Sequence, residues 1–173
     1  IGSHPTGMGK RTQVGGMNFM GTWHPITGNI LTRWSKDVTP ENAWPEYPRP
    51  QMRRAEWLNL NGLWKYGIVT KEQEYNLSFD NEILVPYPIE SALSGVRRSL
   101  QTDERLWYRR TFTIPKAWYG KHVLLHFGAV DWEATVWVNG HQVGTHVGGY
   151  LPFWFDITSH LTDGENELVV AVW

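Results

Sequence analysis

Residues 106–173 read LWYRRTFTIPKAWYGKHVLLHFGAVDWEATVWVNGHQVGTHVGGYLPFWFDITSHLTDGENELVVAVW. Within Leu106–Ile114, Trp107, Arg109, Thr111 and Thr113 alternate with Tyr108, Arg110, Phe112 and Ile114. That is the period of two of a strand with one buried face. The pattern then repeats at short intervals. His122–Phe127 and Asp131–Val138 read as strands, and Asn139-Gly140 follows between ATVWV and HQVGTH. Asn-Gly suits the two positive-φ positions of a type I′ turn, so a tight hairpin is predicted there. Gly148-Gly149 permits a bulge or a close backbone approach. Phe153–Phe155 is a short strand whose alternation sends Trp154 to the face opposite its two neighbours. Asp156-Ile157-Thr158 opens a helical turn capped by Asp156 or Thr158. Asp163-Gly164 turns the chain into a last strand, Asn166–Trp173.

Upstream, Asn59–Gly62 is a turn leading into the strand Leu63–Val69, Lys71–Asp80 is a polar loop, and Ile83–Val85 is a strand ended by Pro86. One helical turn is predicted at Glu90–Leu93. No segment sustains a 3.6-residue period. Strands at intervals of roughly ten residues make an all-β chain, a jelly-roll β-sandwich, the best fit. Residues 1–52 read instead as an extended N-terminal arm. Its first part, to about Pro25, is Gly- and Met-rich, and its second carries Pro40, Pro45, Pro48 and Pro50 among Trp34 and Trp44, a spacing that forbids long helix. The domain proper is residues 53–173.

Net charge is −1, from 16 basic and 17 acidic residues. That argues against nucleic acid or a membrane surface as partner, both of which call for a basic excess. No apolar run approaches the ~20 residues that span a bilayer. The first residues lack the apolar core of a signal peptide, but a processed protein would look the same, and a periplasmic or secreted location is preferred. There is no cysteine, which removes disulfides and thiolate metal sites.

The seven histidines form no HExxH pair. His122 and His126 share a strand face but stand about 13 Å apart, and His141 and His146 flank a hairpin arm. No cofactor is expected, and a structural Ca²⁺ held by loop oxygens is left open. Gly7-Met8-Gly9 has no strand before it and is not a nucleotide loop. Asp131 and Glu133, two apart on a strand, project the same way, so they do not flank a cleft as a glycosidase pair must. Loops on rigid scaffolds are where sandwiches carry binding groups, which makes Asp103 and Glu104, before the strand at Trp107, candidates for accepting sugar hydroxyls. Eleven tryptophans and seven tyrosines are many for this length. Flat apolar rings stack on the C–H faces of sugars, and Tyr150, Trp154 and Trp132 are the candidates for it.

WLNLNGLWKY (Trp57–Tyr66), VPYPIESALSG (Val85–Gly95), LWYRRTFTIP (Leu106–Pro115), VDWEATVWVNGHQVGTHVGGYLPFWFDIT (Val130–Thr158) and GENELVVAVW (Gly164–Trp173) resemble, in order, the N-terminal sugar-binding domain of glycoside hydrolase family 2. The resemblance implies a galactose-binding-like jelly roll followed by an immunoglobulin-like sandwich and a (β/α)₈ barrel. It places both catalytic glutamates in the barrel, and no position here matches either. It implies that this chain is a non-catalytic domain of an exo-acting, retaining, β-galactosidase-like enzyme. Asp103 is then the position that reaches the rim of the active site, with Glu104 beside it, and a second rim acid follows the strand that reaches Trp173. The expected partners are carbohydrate and the remaining domains of the parent. Two other roles compete with this one: a free-standing lectin-like module, and a structural module that mediates subunit contact, as in a homo-oligomer, through the Pro- and Trp-rich arm.

Overall fold

A computed structural model describes residues 23–28, 30–70, 72–73 and 77–173. The Gly- and Met-rich stretch through residue 22, with Gly7-Met8-Gly9 and Gly15-Gly16, lies outside them, as do Lys71 and residues 74–76 of the polar loop.

The strands are β1 (Gly62–Thr70), β2 (Asn81–Val85), β3 (Glu104–Thr113), β4 (Leu124–Phe127), β5 (Glu133–Val138), β6 (His141–Val147), β7 (Phe153–Asp156) and β8 (Glu165–Val172). Short 3-10 turns are the only helical elements among the described residues. Six strands form one sheet in the order β2-β1-β3-β8-β5-β6, and β4 pairs β7 in a second. Every pairing is antiparallel. The chain is a β-sandwich.

The alternation in β3 places its inner residues as expected. Leu106, Phe112 and, just beyond the strand, Ile114 are buried. They cluster with Val136 and Val138 of β5 and Leu168, Val170 and Val172 of β8, and Leu125 of the small sheet closes over them with Val123 and Ile157 just outside its strands. Arg110 falls in the same phase, and its guanidinium is kept there by donating to the carbonyls of Asn61 (3.0 Å) and Leu63 (3.3 Å). On the opposite face Trp107 stacks on Trp137 with centroids 5.2 Å apart. Trp64, turned inward, is buried and satisfies its indole on the Leu60 carbonyl at 2.8 Å.

The hairpin between β5 and β6 turns at Asn139 (φ 50°) and Gly140 (φ 79°), the two positive dihedrals the dipeptide predicts. Its register slips after Val136, which pairs Gly144 while Trp137 pairs Gln142, so Val143 is the extra residue of a bulge. Gly144 is there for closeness: a Cβ would sit 2.2 Å from the Phe155 ring. Gly149 likewise accommodates Asp131, whose Oδ1 would stand 2.4 Å from an added Cβ, the close approach expected of Gly148-Gly149.

Some boundaries differ from expectation. β4 begins at Leu124, because His122 Nδ1 contacts Asp156 Oδ2 (3.0 Å) and the Val123 amide donates to Thr158 Oγ1 (2.9 Å). The turn expected at Glu90–Leu93 is a 3-10 turn at Ala92–Ser94, set by Ser91, whose hydroxyl accepts from the Leu93 amide, and ended by Gly95 at φ 82°. Asp131 stands outside β5 and is exposed. The face-sharing with Glu133 therefore does not arise, and Glu133 is half-buried beside Arg105.

Asp156 organises the turn after β7 as an acceptor rather than as the residue flanking the helix, a position taken by Ile157. Its Oδ1 accepts from the Thr158 hydroxyl and from the Thr158 amide at 3.0 Å, and with His122 these bonds hold its carboxyl down to about 2. A proton therefore binds this group more weakly in the folded chain than in the unfolded one. The stabilisation is complete above the unfolded value near 4 and is lost as pH falls through about 2. Thermal midpoints measured between pH 5 and pH 2 should fall less steeply in Asp156→Asn than in the parent sequence; parallel curves would exclude the effect.

Candidate functional site

Sheet pairing builds one end of the sandwich. β3 starts where β1 ends, with Thr70 opposite Glu104 and Val69 opposite Arg105. β8 ends at the same level, since Val172 pairs both Leu106 and Ala134. One residue on, the Trp173 carbonyl accepts from the amides of Trp132 (3.2 Å) and Glu133 (2.9 Å), while the Trp173 amide donates to Glu133 (3.0 Å). Glu133 faces Val147 at the end of β6, and the Gly148 amide donates to the Trp132 carbonyl at 2.8 Å. The loop 98–104, the segment 128–133 and the loop 148–152 therefore emerge side by side.

Asp103 and Tyr150 share this end. Asp103 is exposed at the tip of the turn before β3 and forms no ion pair among the described residues. Its loop is pinned by the Trp173 indole, which donates to the Thr102 carbonyl at 2.9 Å. Glu104 is a different kind of group. Its Oε2 accepts from the Gln101 amide at 3.0 Å and its Oε1 pairs with Arg98, so both oxygens are occupied in holding the loop. The Gln101 amide and then Arg98 keep its carboxyl below the usual carboxylate range, against a smaller opposing effect of desolvation than the amide supplies. Tyr150 follows the two glycines and is almost wholly exposed, at 94%. Trp154 lies elsewhere, on the outer face of the two-stranded sheet opposite His126 and 58% exposed.

Trp132, a stacking candidate from the sequence, stands at this end too, and residues that the sequence did not single out complete it. Arg105 approaches Glu133 at 3.6 Å. Trp132 and Trp173 are partly exposed, with Val147 and Leu151, and leave apolar surface around the carboxylates. Arg105, Trp173 and Val147 are brought in by pairing between strands far apart in the chain. Four carboxylates, Asp103, Glu104, Asp131 and Glu133, stand here against two arginines, Arg98 and Arg105. Arg98 and Arg105 each meet a glutamate, which leaves the aspartates as the open acceptors. Such a surface can accept hydroxyl protons and offer rings to an apolar sugar face.

Among the described residues no three His, Cys, Asp or Glu side chains converge as metal ligands. His141 stacks on His160 at 5.3 Å, and His122 is tied to Asp156.

The family model described as "Glycosyl hydrolases family 2, sugar binding domain" matches residues 65–173. A β-glucuronidase of Paenibacillus borealis is 29% identical over 133 residues, covering 73% of this chain and 22% of that protein. A β-galactosidase of Thermoanaerobacter pseudethanolicus is 37% identical over 119 residues, covering 66% and 16%. The solved β-glucuronidase of an uncultured Clostridium sp. superposes with a TM-score of 0.53 at 30% identity, covering 65% of this chain and 21% of that one. The chain thus spans about a fifth of the length of the relatives it matches. With a family model that covers more than half its length, the chain belongs to glycosyl hydrolase family 2, as its sugar-binding domain.

Proposed function

We propose that this chain is the N-terminal, non-catalytic domain of an exo-acting, retaining β-glycosidase that cleaves neutral β-glycosides of the galactoside class. The domain packs on the catalytic barrel and lends it one wall of the active-site cleft. The observation that carries this reading is the end of the sandwich where Asp103, Asp131 and Tyr150 stand among exposed apolar side chains. Exposed apolar surface of this kind is the mark of a surface that is covered in the working protein. The named relatives divide between β-glucuronidase and β-galactosidase. The charge supports the second, because four carboxylates beside two arginines repel the carboxylate of a glucuronide and leave a neutral sugar unaffected. Asp103 accepts a substrate hydroxyl at the rim and acts by positioning.

The test uses the full-length protein. It should hydrolyse 4-nitrophenyl β-galactoside with a kcat/KM about tenfold or more above that for the β-glucuronide, while residues 23–173 alone turn over neither. Asp103→Ala should raise KM about tenfold with little change in thermal midpoint, the loss of one hydrogen bond to a charged acceptor. The opposite sugar preference would overturn the galactoside assignment. Turnover by the isolated chain would overturn the non-catalytic role.

A further inference from the structure

The N-terminal segment docks with its tryptophans turned out. Its anchor is Ala43, 4% exposed. The next residue is held by its backbone, because Asn59 Nδ2 (2.8 Å) and Asn61 Nδ2 (3.1 Å) both donate to the Trp44 carbonyl. Trp44 has φ 49°, a left-handed backbone that a bulky residue adopts only where its surroundings impose it. The polar edge of the indole meets the Tyr87 hydroxyl, and the ring remains 62% exposed, as Trp34 does at 61%. The two rings line an open groove of about 490 Å³ between this segment and the loop after β2. Tyr87 and Leu93 form the wall from the body of the domain, and Asp37 and Glu46 stand on the segment side. Neither carboxylate forms an ion pair among the described residues.

Volume and lining together select the occupant. The groove falls within the range of about 300–1,000 Å³ typical of small-molecule sites. The Arg33 guanidinium lies 4.3 Å from the centre of the Trp34 ring and covers one of its faces, which leaves the other face and Trp44 as flat apolar surface. The carboxylates accept hydroxyl protons, and, two against that one guanidinium, they disfavour a carboxylated sugar. The groove also lies far from the rim. Asn59 and Asn61 precede β1, and Glu104 pairs its last residue, so the two places are separated by the nine residues of that strand, roughly 30 Å.

We propose that this groove is a second carbohydrate site, which holds one or two residues of a neutral glycan on Trp34 and Trp44 while the rim serves the scissile sugar. It would keep a polymeric substrate attached between cleavage events.

Affinity electrophoresis of the full-length protein tests this, with gels containing neutral galactan or neutral β-glucan, and polygalacturonate as the anionic control. Hydrolysis of a 4-nitrophenyl β-glycoside is followed in parallel. Retardation is expected in a neutral gel and not in polygalacturonate. Trp34→Ala and Trp44→Ala should each weaken it about five- to tenfold with small-substrate hydrolysis unchanged. Should either tryptophan variant fail to fold, the exposed pair Asp37→Asn with Glu46→Gln should weaken retention likewise. Absence of retardation, retardation unchanged in all three variants, or retardation removed by Asp103→Ala alone would each overturn the proposal, the last by assigning the binding to the rim. Retardation that persists without hydrolysis of any β-glycoside would leave this site standing and refute the catalytic role proposed for the parent.

Discussion

Replacing Asn166 with leucine should cost about 3 kcal/mol of folding free energy, seen as a lower urea midpoint at unchanged slope. Asn166 is fully buried, and each of its side-chain groups is committed. Its Oδ1 accepts from the Thr162 amide (2.8 Å) and from Asn139 Nδ2 (2.7 Å), and its Nδ2 donates to the carbonyls of Thr162 (3.2 Å) and Gly164 (3.1 Å). Asn139, at the hairpin turn, continues the network by donating to the His160 carbonyl and accepting from the Glu167 amide, both at 2.8 Å. Leucine matches the branching, is somewhat larger and supplies none of these bonds, so donors and acceptors of three segments are left without partners in a place water does not reach. A smaller loss is expected for Asn166→Asp, which keeps the acceptor but forfeits the donors. A leucine variant with an unchanged midpoint would show that the network is not coupled to global stability.

A comparable loss, about 3 kcal/mol, is expected for Gly144→Val. The added Cβ would overlap the Phe155 ring, whose nearest atoms stand 2.2, 2.7 and 2.8 Å from where it must sit. Phe155 cannot retreat freely, because Phe153 packs edge-on against it at 5.7 Å and is itself stacked on His146 at 4.1 Å. Either the ring leaves its place or the bulge in β6 opens. A compensating Phe155→Ala in the valine background should recover part of the loss, and strict additivity of the two changes would argue that the sites are independent.

Much of the fold was legible in the sequence because it is local. The period of two in β3, the Asn139-Gly140 turn and the closeness required at Gly148-Gly149 are all properties of neighbouring residues. What could not be read is what depends on register between distant strands. Asp131 looked like the start of a strand. It lies outside because the Trp132 and Glu133 amides both turn to the carbonyl of Trp173, some forty positions away. Asp103 and Glu104 were equivalent as letters in a loop. Their different roles follow from Arg98 and the Gln101 amide, which occupy one carboxylate and leave the other open. Trp154 and Tyr150 were grouped as stacking candidates by residue type, and the two surfaces they occupy are set by how the small sheet lies on the large one.

The sheet order also has a temporal meaning. β3 and β8 are neighbours at the centre of the large sheet, yet β8 is made after every other strand of the described residues and more than fifty residues separate the two in the chain. Until β8 arrives, β2-β1-β3 and β5-β6 are two unlinked fragments with open edges. Synthesis from the N-terminus therefore leaves the edges of β3 and β5 exposed to wrong partners at least until residue 172 clears the ribosome.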